Sequence, residues 1–215
     1  MLEIQENHDL TKLNTFGISI YAKYFVILNK IEDLKELFHS EIFKNNKKLF
    51  LGGGSNVLFT KDFDGIVILN IIKGIEILKE EEENIWIKAC SGEVWHDLVL
   101  FCANKNLWGI ENLALIPGTV GGAPMQNIGA YGVEIKETLE SIDAYDISTG
   151  EKRIFVNQEC NFGYRDSIFK NAIKDKYFIT AIILKLNKKE NKNINYKILK
   201  DHIEKNNLEI NTASD

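Results

Sequence analysis

Three loop-like segments of this 215-residue sequence hold the residue types best suited to binding chemistry. The first is Gly52-Gly53-Gly54-Ser55-Asn56, which follows the run Lys48 to Leu51. Glycines let backbone N–H groups converge on ligand oxygens, and such a nest favours phosphate. Ser55 and Asn56 add side-chain donors. The segment has neither the Gly-Lys-Ser/Thr ending of a Walker loop nor the GxGxxG spacing of a Rossmann turn. A glycine triplet is also an ordinary turn, and the segment alone does not separate the two readings.

The second segment is Ile116-Pro117-Gly118-Thr119-Val120-Gly121-Gly122-Ala123-Pro124, continued by Gln126-Asn127-Ile128-Gly129-Ala130-Tyr131-Gly132. Gly109 to Gly132 holds six of the fifteen glycines and both prolines, which marks it as a long ordered loop. Loops of that length inside compact domains are usually functional. Its small residues permit close approach to a flat or charged ligand, and the amides of Gln126 and Asn127 can read heterocycle edges. Two such loops more than 60 residues apart point to one extended dinucleotide between them, with a pyrophosphate and two ring systems.

The third segment is Phe162-Gly163-Tyr164-Arg165-Asp166-Ser167, which carries one of only two arginines. The guanidinium is permanently charged and its donor fork suits a carboxylate. The alternative is a surface Arg165–Asp166 pair, worth well under about 1 kcal/mol.

Other chemistry is not indicated. Cys90, Cys102 and Cys160 are odd in number and none forms a CxxC, so they read as free thiols rather than a disulfide framework or zinc site. His8, His39, His96 and His202 are scattered, with no helical metal pair, and each is assigned a structural or surface role. A net charge of −5 excludes a general nucleic-acid binder. No apolar run reaches the roughly 18 residues of a membrane helix. The acidic start, Met1 to Leu10, lacks a signal-like pattern, so a cytoplasmic protein is expected.

The elements that must position these segments follow from periodicity. Strands are expected at Tyr24 to Leu28, Lys48 to Leu51 and Ile66 to Leu69, with Asp64-Gly65 as a turn before the last. A helix is expected over Ile31 to Phe43. Ile75 to Leu78 and Ile85 to Lys88 alternate as a hairpin whose acidic tip, within Lys79 to Asn84, is solvated. Val94 to Asn106 reads as an amphipathic helix with Val94, Leu98, Phe101 and Cys102 on one side. Leu139 to Ile147 and Arg153 to Phe155 form a second hairpin, and Tyr177 to Leu186 is the longest strand. From Asn187 the chain turns polar, like a linker. A short helix is expected around Tyr196 to Ile203, and the last residues read as untethered. The fold class is α+β. Residues 1–70 and 71–187 make two subdomains, and 188–215 a linker leading toward a further domain.

The ordered segments resemble one family. Asn14-Thr15-Phe16-Gly17, the Gly52 to Leu58 loop, Glu111-Asn112-Leu113-Ala114-Leu115-Ile116-Pro117-Gly118, Gln126 to Gly132, and Phe162 to Lys170 together are similar to UDP-N-acetylenolpyruvoylglucosamine reductases over roughly residues 10 to 200. That resemblance implies a vanillyl-alcohol-oxidase-type fold holding FAD, with NADPH as reductant and a sugar nucleotide as substrate. Hydride passes by way of the flavin to C3 of an enolpyruvyl group, and C2 is protonated. It places Gly52, Gly53, Gly54, Ser55, Asn56, Val57 and Leu58 against FAD. On the same grounds Ile116, Pro117, Gly118, Thr119, Gly122, Gln126, Asn127, Gly129, Ala130 and Ile179 join them. It makes Arg165 the catalytic group that polarises the substrate carboxylate, and it places Tyr131 and Tyr196 on the substrate. It implies peptidoglycan synthesis, a monomer, and no metal, nucleic-acid or membrane partner. The family's proton-donor serine motif and late glutamate do not occur in these 215 residues. The expectation is therefore a chain incomplete for turnover, with a non-catalytic flavin-binding fragment or relic as the alternative.

Overall fold

The computed structural model describes residues 2–215. The first sheet has strand order β1-β2-β4-β3, with β1 Gln5–Asp9, β2 Tyr21–Leu28, β3 Lys47–Leu51 and β4 Phe63–Asn70. β1 is antiparallel to β2, whereas β2 and β3 both run parallel to β4. Parallel strands are normally covered on both faces, and this sheet obeys that rule. Val26, Ile66 and Ile68 pack toward α1 (Asp33–His39) and α2 (Glu41–Asn45), with Leu34, Leu37, Phe38 and Phe43. Phe25, Val67 and Leu51 point the other way, onto Leu10, Ile20 and Phe59.

Two local readings are corrected here. The span Ile31 to Phe43 is not one helix. It breaks at Ser40, whose backbone is extended and whose hydroxyl accepts from Phe43 N at 3.1 Å as an N-cap. The apolar period continues through the break, which hides it. Asp64-Gly65 is not a turn but part of β4, where Gly65 pairs with Lys47. A Cβ on Gly65 would collide with the Lys47 carbonyl, so this glycine serves close strand approach.

The second sheet is entirely antiparallel, in the order β10-β9-β11-β6-β5. Its strands are β5 Ile75–Glu80, β6 Asn84–Cys90, β9 Leu139–Asp146, β10 Lys152–Val156 and β11 Tyr177–Asn187. Between β6 and β9 come α3 (Trp95–Ala103), the long glycine-rich loop, and the small hairpin of β7 Gly129–Ala130 and β8 Val133–Glu134. One sheet face, with Ile87, Ala89, Ile142, Ile182 and Leu184, packs on Trp95, Leu98, Val99 and Cys102 of α3. Val94 is not on that buried side. It is exposed, with extended backbone, as the residue that caps the helix.

The sheets are joined by side chains at the crossing from β4 to β5. Asn70 Nδ2 donates to Ser91 Oγ at 2.7 Å, and Asn70 Oδ1 accepts from Ile72 N. Phe178 of β11 enters the core of the first sheet, with its ring 4.8 Å from that of Phe50. The acidic hairpin tip is tied rather than only solvated. Lys188 meets Glu80 and Lys189 meets Glu83, each at 2.6 Å. A fourth helix, α4, spans Lys197–Asn206. The expectation of untethered final residues is wrong. Ala213 packs with Ala103 and Trp108, and its N–H donates to Asn106 Oδ1 at 2.9 Å.

Candidate functional site

The two glycine loops lie against each other. A Cβ on Gly52 would strike the Thr119 hydroxyl, and one on Gly53 would come within 3.3 Å of Gly118 Cα. From the other side, a Cβ on Gly118 would stand 3.3 Å from Ser55 Oγ. Asn56 Nδ2 reaches Gln126 Oε1 at 3.4 Å. Gly54 has φ +65° and lies on the Leu13 carbonyl, while its own carbonyl accepts from Thr15 N at 3.3 Å. That contact brings in the Asn14-Thr15-Phe16-Gly17 segment. Asn14 is buried and pins the segment, donating to Leu10 O and Ile18 O and accepting from Ile18 N.

The glycines are therefore needed first for packing one loop on the other, a role their composition does not distinguish from ligand approach. The consequence still suits an anion. Among the described residues, the backbone N–H groups of Gly53, Gly54, Ser55 and Asn56 donate to no protein acceptor, and a turn over Ser55-Asn56 brings Val57 N back toward Gly54 O. A run of such donors is a nest for phosphate oxygens, so the residues present fit the pyrophosphate of FAD.

The 116–132 segment is organised from the start of α3. Trp95 Nε1 donates to Leu113 O at 2.9 Å, and Trp95 N donates to Gly118 O at 3.1 Å. Val120 N and Gly121 N continue this pairing on Glu93 O and Ser91 O. Ile116 packs on the core while Pro117 is exposed. Gly122 faces open space, with no atom near an added Cβ. Gly129 and Ala130 are engaged in the β7–β8 hairpin. Leu58 is exposed at the loop rim, and Val57 packs on the core of the first sheet.

Two sequence-selected residues point their side chains inward. Asn127 is buried at φ +45°, donating from Nδ2 to Gly163 O at 3.0 Å and accepting at Oδ1 from Lys136 N at 3.2 Å. Its amide fastens loops and has no free edge to read a heterocycle. Ile179 lies within β11 with its side chain in the core. Only main-chain atoms of these two are left to meet a ligand.

Asn127 attaches the third segment. Gly163 and Asp166 close a tight turn through Gly163 N to Asp166 O at 3.1 Å and the reverse bond at 3.3 Å. Ser167 is buried and donates to Met125 O at 2.8 Å, a second tie to the glycine loop. Tyr164 and Arg165 form the exposed tip, and Arg165 has φ +52°. A left-handed conformation is uncommon for a side-chain-bearing residue and is held here by the surrounding bonds. Asp166 is engaged by Asn171 Nδ2 at 2.7 Å, not by Arg165. Among the described residues the Arg165 guanidinium has no hydrogen-bond or ion-pair partner. Its positive charge nevertheless reaches Glu134. That carboxyl lies below the usual range, first because of Lys136 beside it and, to a smaller extent, because of Arg165.

Tyr131 and Tyr196 meet edge to face, with centroids 5.8 Å apart. Tyr131 has φ +49°, and Asn112 Nδ2 ties its carbonyl (3.3 Å) to that of Asn193 (2.7 Å). Two residues selected 65 positions apart thus share one corner, next to Gly132. The thiols lie apart from this chemistry. Burial pushes Cys102 and Cys160 up to about 12 and raises Cys90 as well.

His96, read from sequence as structural or surface, accepts at Nδ1 from Leu115 N at 3.2 Å, a partner the sequence did not name. Sequence reasoning also missed the left-handed backbone of Leu115, φ +61°. Neither has a local sequence signal, because the contact spans 19 residues.

Known proteins resemble this chain in sequence and fold. The UDP-N-acetylenolpyruvoylglucosamine reductase of Flavobacterium johnsoniae is 48% identical over 215 residues, all of this chain and 63% of that protein. Its counterpart from Amoebophilus asiaticus is 50% identical over 195 residues, 91% of this chain and 58% of that protein. The chain thus spans about three fifths of the length of these curated relatives. The crystal structure of UDP-N-acetylenolpyruvylglucosamine reductase from Thermus caldophilus superposes with a TM-score of 0.69 at 24% identity, covering 96% of this chain and 69% of that one. A solvent-stable cholesterol oxidase gives 0.63 at 14% identity, covering 86% and 38%. These two likenesses speak for the fold, which is α+β of the vanillyl-alcohol-oxidase type. A family model described as "FAD binding domain" matches residues 22–154, a span that contains both glycine loops, and the chain belongs to that FAD-binding family.

Proposed function

We propose that the seam between loops 52–58 and 116–132 holds FAD, and that the chain is the flavin-binding part of a UDP-N-acetylenolpyruvoylglucosamine reductase. NADPH is the reductant, the enolpyruvyl sugar nucleotide the substrate, and the place of action the cytoplasm, in cell-wall synthesis. The observation that carries the reading is the juxtaposition of four N–H groups unpaired among the described residues, Gly53 to Asn56, with the loop at Gly118 and Thr119. The division of labour follows the two sheets, with residues 1–70 supplying the first loop and 71–187 the second.

Bound FAD supplies hydride acceptance and donation, and the protein supplies position and charge. The amides of Gly53 to Asn56 bind the pyrophosphate. Arg165 presents a free donor fork to the substrate carboxylate and stabilises negative charge that grows there during reduction. Tyr131 and Tyr196 form an aromatic corner for the remainder of the nucleotide. Ser167 is not the acid that protonates C2, because its hydroxyl is buried and committed to Met125 O. The 215 residues on their own are therefore expected to bind flavin without multiple turnovers, since positioned general acids contribute ~10²–10⁴ in rate.

The test is a titration of the purified chain with FAD, followed by visible absorbance, and then addition of NADPH and the enolpyruvyl sugar nucleotide with product followed by mass. Perturbed flavin bands without multiple turnovers support the reading. Absence of FAD binding by the folded chain contradicts the cofactor assignment. Sustained turnover contradicts the assignment of the missing acid.

A further inference from the structure

We infer that His96 is a positioning residue for the flavin loop, acting through the main chain of Leu115; the inference rests on the proposal that this seam holds FAD. Residues 113–119 are clamped to the N-terminal turn of α3 at three points. Two are made by Trp95, through its indole to Leu113 O and its amide to Gly118 O. The third is the only one that depends on an imidazole: Leu115 N–H donates to His96 Nδ1. It falls midway between the other two, where the chain needs help most. Leu115 is left-handed at φ +61° and 77% exposed, so neither steric preference nor burial holds it. Leucine at such a backbone conformation persists only where neighbouring contacts over-determine it.

The next residues are Ile116, Pro117 and Gly118, and Gly118 Cα lies against Gly53 and near Ser55. A relaxation of Leu115 would therefore swing the second loop away from the first and open the seam. The contact also sets the imidazole: Nδ1 accepts only if unprotonated, so the neutral ring carries its hydrogen on Nε2. Among the described residues, His96 makes no hydrogen bond or ion pair with the Gly52 to Gly54 loop or with Arg165. Its effect reaches the flavin only through the shape of the loop.

The experiment compares FAD dissociation constants of the wild-type chain, His96→Ala and His96→Asn. Asparagine Oδ1 stands close to where Nδ1 accepts, so it restores the bond without the ring. Loss of one such bond weakens FAD binding roughly tenfold in His96→Ala, and His96→Asn recovers most of that loss. Equal affinity of wild type and His96→Ala, or equal weakening in both variants, overturns the inference. If His96→Ala does not fold, the wild type still decides. Its ¹⁵N spectrum should show a neutral His96 ring protonated on Nε2, and a ring protonated on Nδ1 overturns the inference. Failure of the wild type to bind FAD is a separate result, which removes the cofactor proposal itself.

Discussion

The 52–58 loop and the 163–166 turn approach the same central loop by opposite means. On the first side, contact depends mainly on side chains that are absent, with one long side-chain bond, Asn56 to Gln126, beside them. Gly52 and Gly53 sit against Thr119 and Gly118 of the central loop, Gly54 sits against Leu13 of the 10–17 segment, and almost any added atom meets protein. On the other side, contact is made by buried polar side chains, Asn127 and Ser167, each holding a carbonyl across the gap. Among the described residues, the first side leaves backbone N–H groups without an acceptor, and the second leaves an unpaired guanidinium. A steric seam is intolerant of any enlargement. A polar tether fails only when its own donors are removed, and the exposed tip it carries can change without structural penalty.

The largest expected effect tests the steric side. Gly54→Ala forces a Cβ onto the Leu13 carbonyl at a left-handed position, and both atoms belong to packed backbone. A loss of roughly 2–4 kcal/mol is expected in urea unfolding, together with loss of FAD binding. Gly122→Ala is the matched control. Its Cβ meets nothing, so stability should stay within about 0.5 kcal/mol of wild type. Similar effects for the two substitutions would remove the distinction between seam and surface glycines.

The polar side should be weaker. Asn127→Ala deletes two part-buried hydrogen bonds of a buried side chain and should cost roughly 1–3 kcal/mol by the same measurement. Hydrogen exchange should rise first at Gly163 and Asp166, with the Thr15 amide, which donates to Gly54 O, still protected. Simultaneous loosening of both would mean that the two sides are not independent.

Acid stability sharpens the comparison, because it belongs to the supporting sheet and not to either loop. Burial opposes ionisation of Asp143, but hydrogen bonds and charge from Lys152 and Lys88, at 2.9 and 3.0 Å, outweigh it and keep the carboxyl below its ordinary value. Since the folded value is depressed, this stabilisation is present above the ordinary aspartate range and is lost as pH falls through the folded value. Asp143→Asn should cost roughly 1–2 kcal/mol near neutrality and flatten the acid limb of a stability–pH curve. An unchanged acid limb would assign acid sensitivity to another carboxylate.

The smallest structural effect is expected at the tip. Arg165→Lys should leave stability within about 0.5 kcal/mol, since the guanidinium makes no bond inside the described chain. In a full-length relative carrying the same turn, it should slow substrate reduction by flavin more than flavin reduction by NADPH. Equal slowing of both half-reactions would make Arg165 structural.

How much of this was legible depended on whether a local signal existed. Ile66 to Leu69 and Tyr177 to Leu186 are apolar runs that only buried strands explain, and both are strands. Gly65 misled because a glycine admitting a neighbouring strand is indistinguishable in sequence from one making a turn. Ser40 was hidden by apolar residues that keep helical period on both sides of it. The tail was misread because its anchor, Ala213, is a small residue in a polar segment, and its socket, Ala103 and Trp108, lies about 100 residues away. The glycine loops and the arginine turn stood out by composition. Their mutual contacts did not, since Gly53 with Gly118 and Asn127 with Gly163 are products of tertiary packing. His96 lies at the far end of that scale, an ordinary helix residue until Leu115 is placed beside it.

The central claim is that the N–H groups of Gly53 to Asn56 bind the pyrophosphate of FAD in the seam. Amide NMR of the ¹⁵N-labelled chain during FAD titration tests it most directly. The account predicts large, saturable shifts at residues 53–56 and 118–119, with Gly150, at a remote turn, unmoved. FAD that saturates the protein while leaving the 53–56 amides in place would contradict it.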